Sequence, residues 1–269
     1  MIRALETERL RAGEQRFRLP GGRVLAAPSW LIPGDLTANC RFLSGRVDEV
    51  GLLFFETTAC LAYTAKELPA DLAGLSLAYH VHLPVDLPWE NPPACAEICA
   101  SLLGKIAFLH PTRAVLHPPA GSTAPDALRN FLETFAGLGH APGLLAVENH
   151  KDCDLLGLAE VVREFSLQVC LDLGHVRAYG QEALLDCPAL TRRATLLHLS
   201  AARPGKDLHR SLAELDPEGH ALLRRALAAT PPDAALMPEI FALPGYEASL
   251  DILHRALTAA LLSSDNAAS

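Results

Sequence analysis

Imidazoles and carboxylates in this sequence recur at one kind of place, immediately after short apolar runs rich in β-formers. His80-Val81-His82-Leu83-Pro84 closes one run, His117-Pro118-Pro119 the next, followed by Glu148-Asn149-His150, Asp172-Leu173-Gly174-His175 and His198. A loop then carries Asp207-Leu208-His209, and the last run ends on Glu239. A strand buried on both faces should close on turn residues, whereas these close on metal-ligand types. Taken singly, each has a plain structural reading: a strand-end histidine satisfied by a neighbour, or a carboxylate capping the next helix. His82, His117, Glu148, Asp172, His175, His198, Asp207, His209 and Glu239 in one pocket would not, because crowded carboxylates repel unless cations neutralise them. Nitrogen and oxygen ligands without thiolate suit zinc, manganese or iron better than calcium or magnesium. Nine ligands are too many for one ion and match two or three divalent ions, zinc first, sharing bridging carboxylates. Grouped ions suit phosphoester hydrolysis, where the attacking and the leaving oxygen both need charge stabilisation.

Side chains spread over residues 82–239 can meet only if the elements carrying them converge. Eight strand-like runs, at 24–30, 47–55, 75–82, 113–117, 144–148, 167–172, 194–199 and 235–240, alternate with longer stretches. The stretches 94–109, 124–137, 155–165 and 212–229 repeat apolar residues at three- and four-residue spacing, as amphipathic helices require. Alternation on this scale in 269 residues predicts an α/β fold, a single (β/α)8 barrel, whose usual size is ~250 residues. An open doubly wound sheet is the competing arrangement, but no Gly-x-Gly-x-x-Gly follows the first run. In a barrel the C-terminal strand ends share one mouth, which is where these side chains would lie.

Composition bounds the rest. At 50% hydrophobic residues the chain can offset its ordering entropy, which excludes global disorder. Its 18 Gly, 20 Pro and 7 Cys exclude a collagen-like or disulfide-stapled architecture. One domain is expected over residues 1–262, with 263–269 as a frayed tail. The charge of −8 and the lack of a basic tract argue against nucleic acid as a partner. No stretch of ~18 uninterrupted apolar residues argues for a membrane span, and the charged first twenty residues lack the apolar segment of a secretory signal. An odd number of cysteines without framework spacing suggests reduced thiols and a cytoplasmic protein. Cys95 and Cys99, one helical turn apart, are read as packing residues.

The ordered ligand set resembles that of the barrel superfamily shared by xylose-isomerase-like enzymes and class II apurinic endonucleases, over about residues 24–241. That resemblance implies that His82, His117 and Glu148 hold one ion, and that Glu148 bridges to a second held by Asp172, His198 and Glu239. His175, Asp207 and His209 would hold a third. A closer resemblance, to the cobamide-remodelling phosphodiesterases, lies in Pro28-Ser29-Trp30-Leu31-Ile32-Pro33 with Asn39, in residues 47–56, and in residues 81–88. It implies hydrolysis of the nucleotide loop of a corrinoid, with Glu148 and Glu239 as catalytic carboxylates.

Substrate-side residues follow from position. Arg203 and Lys206 precede Asp207 and could meet a phosphate oxygen or be solvated surface charge. Trp30, Trp89 and Tyr179, just beyond strand ends, could line a pocket for a large flat ligand or pack on helices. Asn39 is a substrate-binding candidate, His80 is read as a group behind the ligands, and His150 and Lys151 could serve the substrate. Three other functions use the same barrel: a sugar or sugar-phosphate isomerase or epimerase, an apurinic endonuclease, and a metal-retaining binding protein without turnover. An isomerase needs one ion and two acid–base carboxylates, which leaves five of the candidate ligands idle. Protein purified without chelator is expected to carry two or three divalent ions per chain by elemental analysis; a fixed stoichiometry of one would favour the isomerase.

Overall fold

The computed structural model describes residues 17–267, so the charged N-terminal segment read against a secretory signal lies outside the described residues. Strands β1 (Ala26–Pro28), β2 (Glu49–Leu53), β3 (Ala78–His82), β4 (Ala114–Leu116), β5 (Leu145–Glu148), β6 (Gln168–Asp172) and β7 (Ala194–Leu199) pair in parallel, each with the next. Two more, β8 (Ala201–Arg203) and β9 (Lys206–Arg210), form an antiparallel hairpin, and β10 (Ala235–Pro238) returns to pair with β7. The Leu236 amide donates to the Val24 carbonyl at 2.9 Å, and a parallel bridge joins Leu25 to Leu236, which closes the ring. Each barrel strand falls inside one of the eight runs predicted from sequence.

Outside the barrel lie α1 (Leu36–Leu43), α2 (Thr57–Leu61), α3 (Pro92–Ile106), α4 (Ala124–Gly137), α5 (Ala159–Glu164), α6 (Leu173–Tyr179), α7 (Pro188–Thr191), α8 (Pro217–Ala229) and α9 (Leu243–Ala267). Two expectations are corrected. The stretch 212–229 is a short 3-10 turn followed by α8, because the Asp216 carboxylate accepts from the Gly219 amide and Pro217 opens a new helix. The segment after β7, read as a loop, is the β8–β9 hairpin. The closing helix runs to Ala267. Residues 268–269 lie outside the described residues. Cys95 and Cys99 do lie buried on the core face of α3, where burial raises both thiols.

The barrel interior explains why the polar residues gather. Successive strand residues alternate between the helix layer and the interior. Val115, Ala146, Cys170, Leu196 and Met237, with Ala26 and Ala235, form an apolar plug of their own inside the ring. Two residues further along the same strands, hence on the same face, stand His117, Glu148, Asp172, His198 and Glu239. The polar layer is one pleat above the plug.

Against the plug lies a buried ionic group. His80 Nδ1 is 2.6 Å from Glu49 Oε1, which also accepts from Thr112 Oγ1 at 3.1 Å and pairs with Arg113 Nη1 at 3.2 Å. Burial works against the Glu49 carboxylate, but His80, Arg113 and Thr112 hold its pKa below the ordinary value. Gly51, on β2, makes room for this imidazole: a Cβ there would stand 2.5 Å from His80 Nε2 and 3.1 Å from Met237 Sδ. Gly51→Ala should therefore destabilise the fold by ~1–3 kcal/mol, the range for overpacking a dense core. Thermal unfolding should show a Tm several degrees lower; an unchanged Tm would mean the interior is not packed in this way.

Candidate metal centre

At the mouth, the nine residues singled out from sequence come together around Glu148. One carboxylate oxygen, Oε2, is 3.0 Å from His82 Nε2 and 3.1 Å from His117 Nε2. The other, Oε1, is 2.7 Å from His198 Nδ1, which lies 3.5 Å from Glu239 Oε2 and 4.0 Å from Asp172 Oδ2. Beside this, Asp207 Oδ2 is 3.2 Å from His175 Nε2 and 3.1 Å from His209 Nε2. His209 Nδ1, 3.5 Å from Glu239, joins the two parts. Among the described residues the donor atoms form five overlapping groups that could hold an ion, three of which together use all nine residues: His82, His117 and Glu148; Glu148, Asp172, His198 and Glu239; His175, Asp207 and His209. The other two are His82, His198 and Glu239, and Glu148, Cys170 and His198.

The backbone aims these side chains. His82 Nδ1 donates to the Leu83 carbonyl and His175 Nδ1 to the Asn149 carbonyl, both at 2.8 Å, which turns each Nε2 toward the centre. His117 is backed by His150, whose ring stacks on it at 5.1 Å and whose Nε2 donates to the Pro118 carbonyl. Asp172 fills both of its possible roles: Oδ1 caps α6 by accepting from the His175 amide at 2.6 Å, and Oδ2 faces the centre. Gly174 is required in that turn, since a Cβ would stand 2.3 Å from Ser200 Oγ. His209 adopts φ +42°, a left-handed conformation that a non-glycine residue holds only under constraint from its surroundings.

Two positioning residues escaped the sequence reading. Asn149 bridges β5 to β6, its Oδ1 accepting from the Asp172 amide and its Nδ2 donating to the Asp172 carbonyl and to Gln181 Oε1. Gln181 in turn donates to the His150 carbonyl at 2.7 Å. Asn149 was signalled by its place in Glu148-Asn149-His150, but nothing local marks Gln181.

Electrostatics fit a cation-binding role. Among the described residues, Asp172 Oδ2, Asp207 Oδ1 and His209 Nδ1 are buried without a hydrogen-bond partner. An unsatisfied buried polar atom costs ~1–3 kcal/mol, and three in one pocket are what bound cations would relieve. Burial opposes charge on Glu148, yet the three imidazoles, His198 foremost, hold its carboxyl well below the usual range. Burial pushes Asp172 up to about 6. Although burial opposes the protonated imidazole, the carboxylates raise His175 to about 10 and His209 to about 9, and Cys170, with Glu148 and Glu239, holds His198 well above its ordinary value.

The expected substrate-side residues fare differently. Tyr179 packs against His175 with ring centres 5.6 Å apart and lines a cavity of about 460 Å³ with Lys151 and Gln181. Trp30 stands at the mouth and is 54% exposed. Trp89 does not line it: its ring packs on Phe131 at 5.3 Å and its Nε1 donates to the His117 carbonyl, so it braces a candidate ligand from behind. Asn39 is buried with its amide fully engaged, accepting from the Leu31 and Ile32 amides and donating to the Ile32 and Asp35 carbonyls. It shapes the loop after β1 and has no bond to spare for a ligand. Arg203 and Lys206 are cross-strand partners on the exposed face of the hairpin, opposite to the face that Asp207 and His209 turn inward. Strand alternation therefore directs both cations to solvent.

No protein-family model and no curated protein matches the sequence. Solved structures do resemble the fold. A D-tagatose 3-epimerase-like protein superposes with a TM-score of 0.64 at 17% identity, covering 90% of this chain and 99% of that one. Endonuclease IV from Thermus thermophilus gives 0.56 at 21% identity, covering 80% and 90%. IOLI protein with a binding zinc atom gives 0.56 at 14% identity, covering 90% and 98%. The shared fold is the closed (β/α)8 barrel of eight parallel strands.

The protonation pattern has a consequence for stability. His175 and His209 in the metal-free fold keep their protons to about 10 and about 9. An unfolded imidazole loses its proton near ~6.5. The fold then binds more protons than the unfolded chain between these limits, so stability falls as pH rises through that window. Ligation requires deprotonated imidazoles and works in the opposite sense. Calorimetry should show the Tm of chelator-stripped protein dropping between about pH 6.5 and about pH 8.5, while the increment produced by added zinc grows. A stripped Tm that rises over that window would contradict the ion pairing described.

Proposed function

We propose that this protein is a metal-dependent phosphodiesterase that cleaves the nucleotide loop of cobamides, using two or three zinc-class ions. One observation carries the reading: three sets of nitrogen and oxygen donors meet at one mouth, two of them sharing Glu148. The His175–Asp207–His209 set has no task in a one-ion isomerase. The epimerase-like neighbour keeps sugar epimerisation as the second reading, with Glu148 and Glu239 as its acid–base pair. Endonuclease IV among the structural neighbours is consistent with phosphodiester chemistry on this fold, and the −8 charge argues against a duplex as the substrate.

Divalent ions held there would activate water and offset the charge of the phosphodiester and its leaving oxygen. The chain's own residues do the rest. Glu148 ties His82, His117 and His198 into one rigid unit, so the donors are in place before substrate arrives. Carbonyl contacts at Nδ1 keep His82 and His175 in one tautomer. The cavity lined by Tyr179, whose ring lies 5.6 Å from that of His175, offers space, with the Lys151 cation, for the nucleoside side of the diester.

The test is incubation of the zinc-loaded protein with an adenosylated cobamide, followed by chromatography of the corrinoid. Loss of the lower ligand is expected, with no incision of an abasic duplex and no epimerisation of a ketose. Glu148→Gln keeps the side chain's size but removes the shared charge, and should abolish turnover while leaving the circular dichroism unchanged. An untouched cobamide beside a cleaved abasic duplex would overturn the substrate assignment. Near-native activity of Glu148→Gln would overturn the centre itself.

A further inference from the structure

The mouth has two unlike sides. One, around the cavity beside Tyr179, carries Lys151, Asp152, Asp154 and Gln181. The other is an unbroken row of rings standing on three different loops. Trp30, after β1, meets Phe55, after β2, edge to face at 6.2 Å. Phe55 meets Phe241, after β10, in the same manner and at the same distance. Phe241 then lies 5.3 Å from His209, a member of the metal centre. Trp30 is 54% exposed and Phe55 42% exposed, and Val85, on the loop after β3, is exposed as well. Scattered exposed apolar side chains are ordinary; a contiguous row running into a polar centre marks a ligand surface.

The row is also held rigidly. Ser29 ties the loop carrying Trp30 to β2, its amide donating to the Gly51 carbonyl and its Oγ accepting from the Leu53 amide. The saturated Asn39 amide pins the following turn. Just beyond Phe55, Thr57 donates through both its amide and its hydroxyl to Asp86 Oδ1. Exposed aromatics fixed on clamped loops lose little freedom when a ligand covers them, which favours binding of a flat partner.

We infer that Trp30, Phe55 and Phe241 form the platform for the ring system of the substrate, a broad macrocycle with methyl groups and amide arms on its rim, linked to the diester held at the His209 end. The inference rests on the cobamide reading, and the macrocycle it commits to is the corrin ring. A sugar has no apolar face large enough to cover three aromatic rings, whereas a corrin has. The polar cavity then faces the opposite end of the substrate, so the diester crosses the metal centre in one direction only.

Cobinamide, a corrin without the nucleotide loop, isolates this contact from cleavage. Equilibrium dialysis of the zinc-loaded protein should show saturable cobinamide binding. Trp30→Ala and Phe55→Ala should each weaken it about tenfold, as loss of a central aromatic contact does. The same variants should raise KM for the intact cobamide much more than they lower kcat, with zinc content unchanged. Leu138→Ala, at an exposed apolar residue following α4, should leave cobinamide binding unaltered. If cobamide is hydrolysed but cobinamide does not bind, or binds equally well to both aromatic variants, the platform is wrong and the proposed function stands. If the wild-type protein neither binds cobinamide nor hydrolyses cobamide, the functional reading fails and the platform with it.

Discussion

Glu148 receives three imidazoles on two oxygens inside a barrel that offers it almost no water, and the rest of the structure accommodates that arrangement. A buried carboxylate is tolerated only when cationic or hydrogen-bonding partners offset its desolvation. Here the partners come from β3, from the residue beyond β4, and from β7, so one side chain ties together strands that are not all neighbours in the ring. Asp172, Glu239 and Asp207 add further negative charge close by. Without cations the pocket draws protons onto His175, His198 and His209, and with cations those protons must leave.

The supporting layers follow from this requirement. Beneath the centre, the apolar plug excludes water and gives the polar layer a firm floor. Against the plug, Glu49, His80 and Arg113 form a separate, internally paired ionic group, so the charge there is compensated independently of the mouth. Gly51 and Gly174 occur where any larger side chain would collide with His80 or Ser200. Asn149 and Gln181 then fasten the loops after β5 and β6, converting convergence of strand ends into a fixed set of donor positions.

Around the centre the loops divide the labour. Those following β1, β2 and β10 present rings, while those following β4, β5 and β6 present charge, amide and a phenol around a cavity. A mouth with an apolar side and a polar side imposes a direction on any ligand that has both characters. On a shared barrel scaffold, substrate choice resides in such loops, whereas the strand-end layer sets the chemistry.

How much was legible beforehand follows from periodicity. Strands alternate strictly, so apolar runs ending on His, Asp or Glu already implied both the barrel and the layer in which those groups would lie. Six of the candidate ligands, His82, His117, Glu148, Asp172, His198 and Glu239, were readable for that reason, whereas His175, Asp207 and His209 lie beyond the barrel strands and were singled out by residue type. Residues outside the barrel strands obey no such period. Arg203 and Lys206 were assigned by nearness in sequence to Asp207, yet the hairpin's own alternation turns them to solvent. Trp89 was placed by its position after a strand, yet its half-buried ring packs on Phe131 of α4 and its Nε1 donates to the His117 carbonyl. Asn39 looked available but is consumed by its own loop, and Phe55 and Phe241 gave no local sign of forming a row with Trp30. The sequence by itself determined which side chains the barrel interior would carry, because covalent alternation fixes their facing. Only the tertiary structure decided which nitrogens turn to the centre and which loop residues meet above it, because those depend on contacts between segments far apart in the chain.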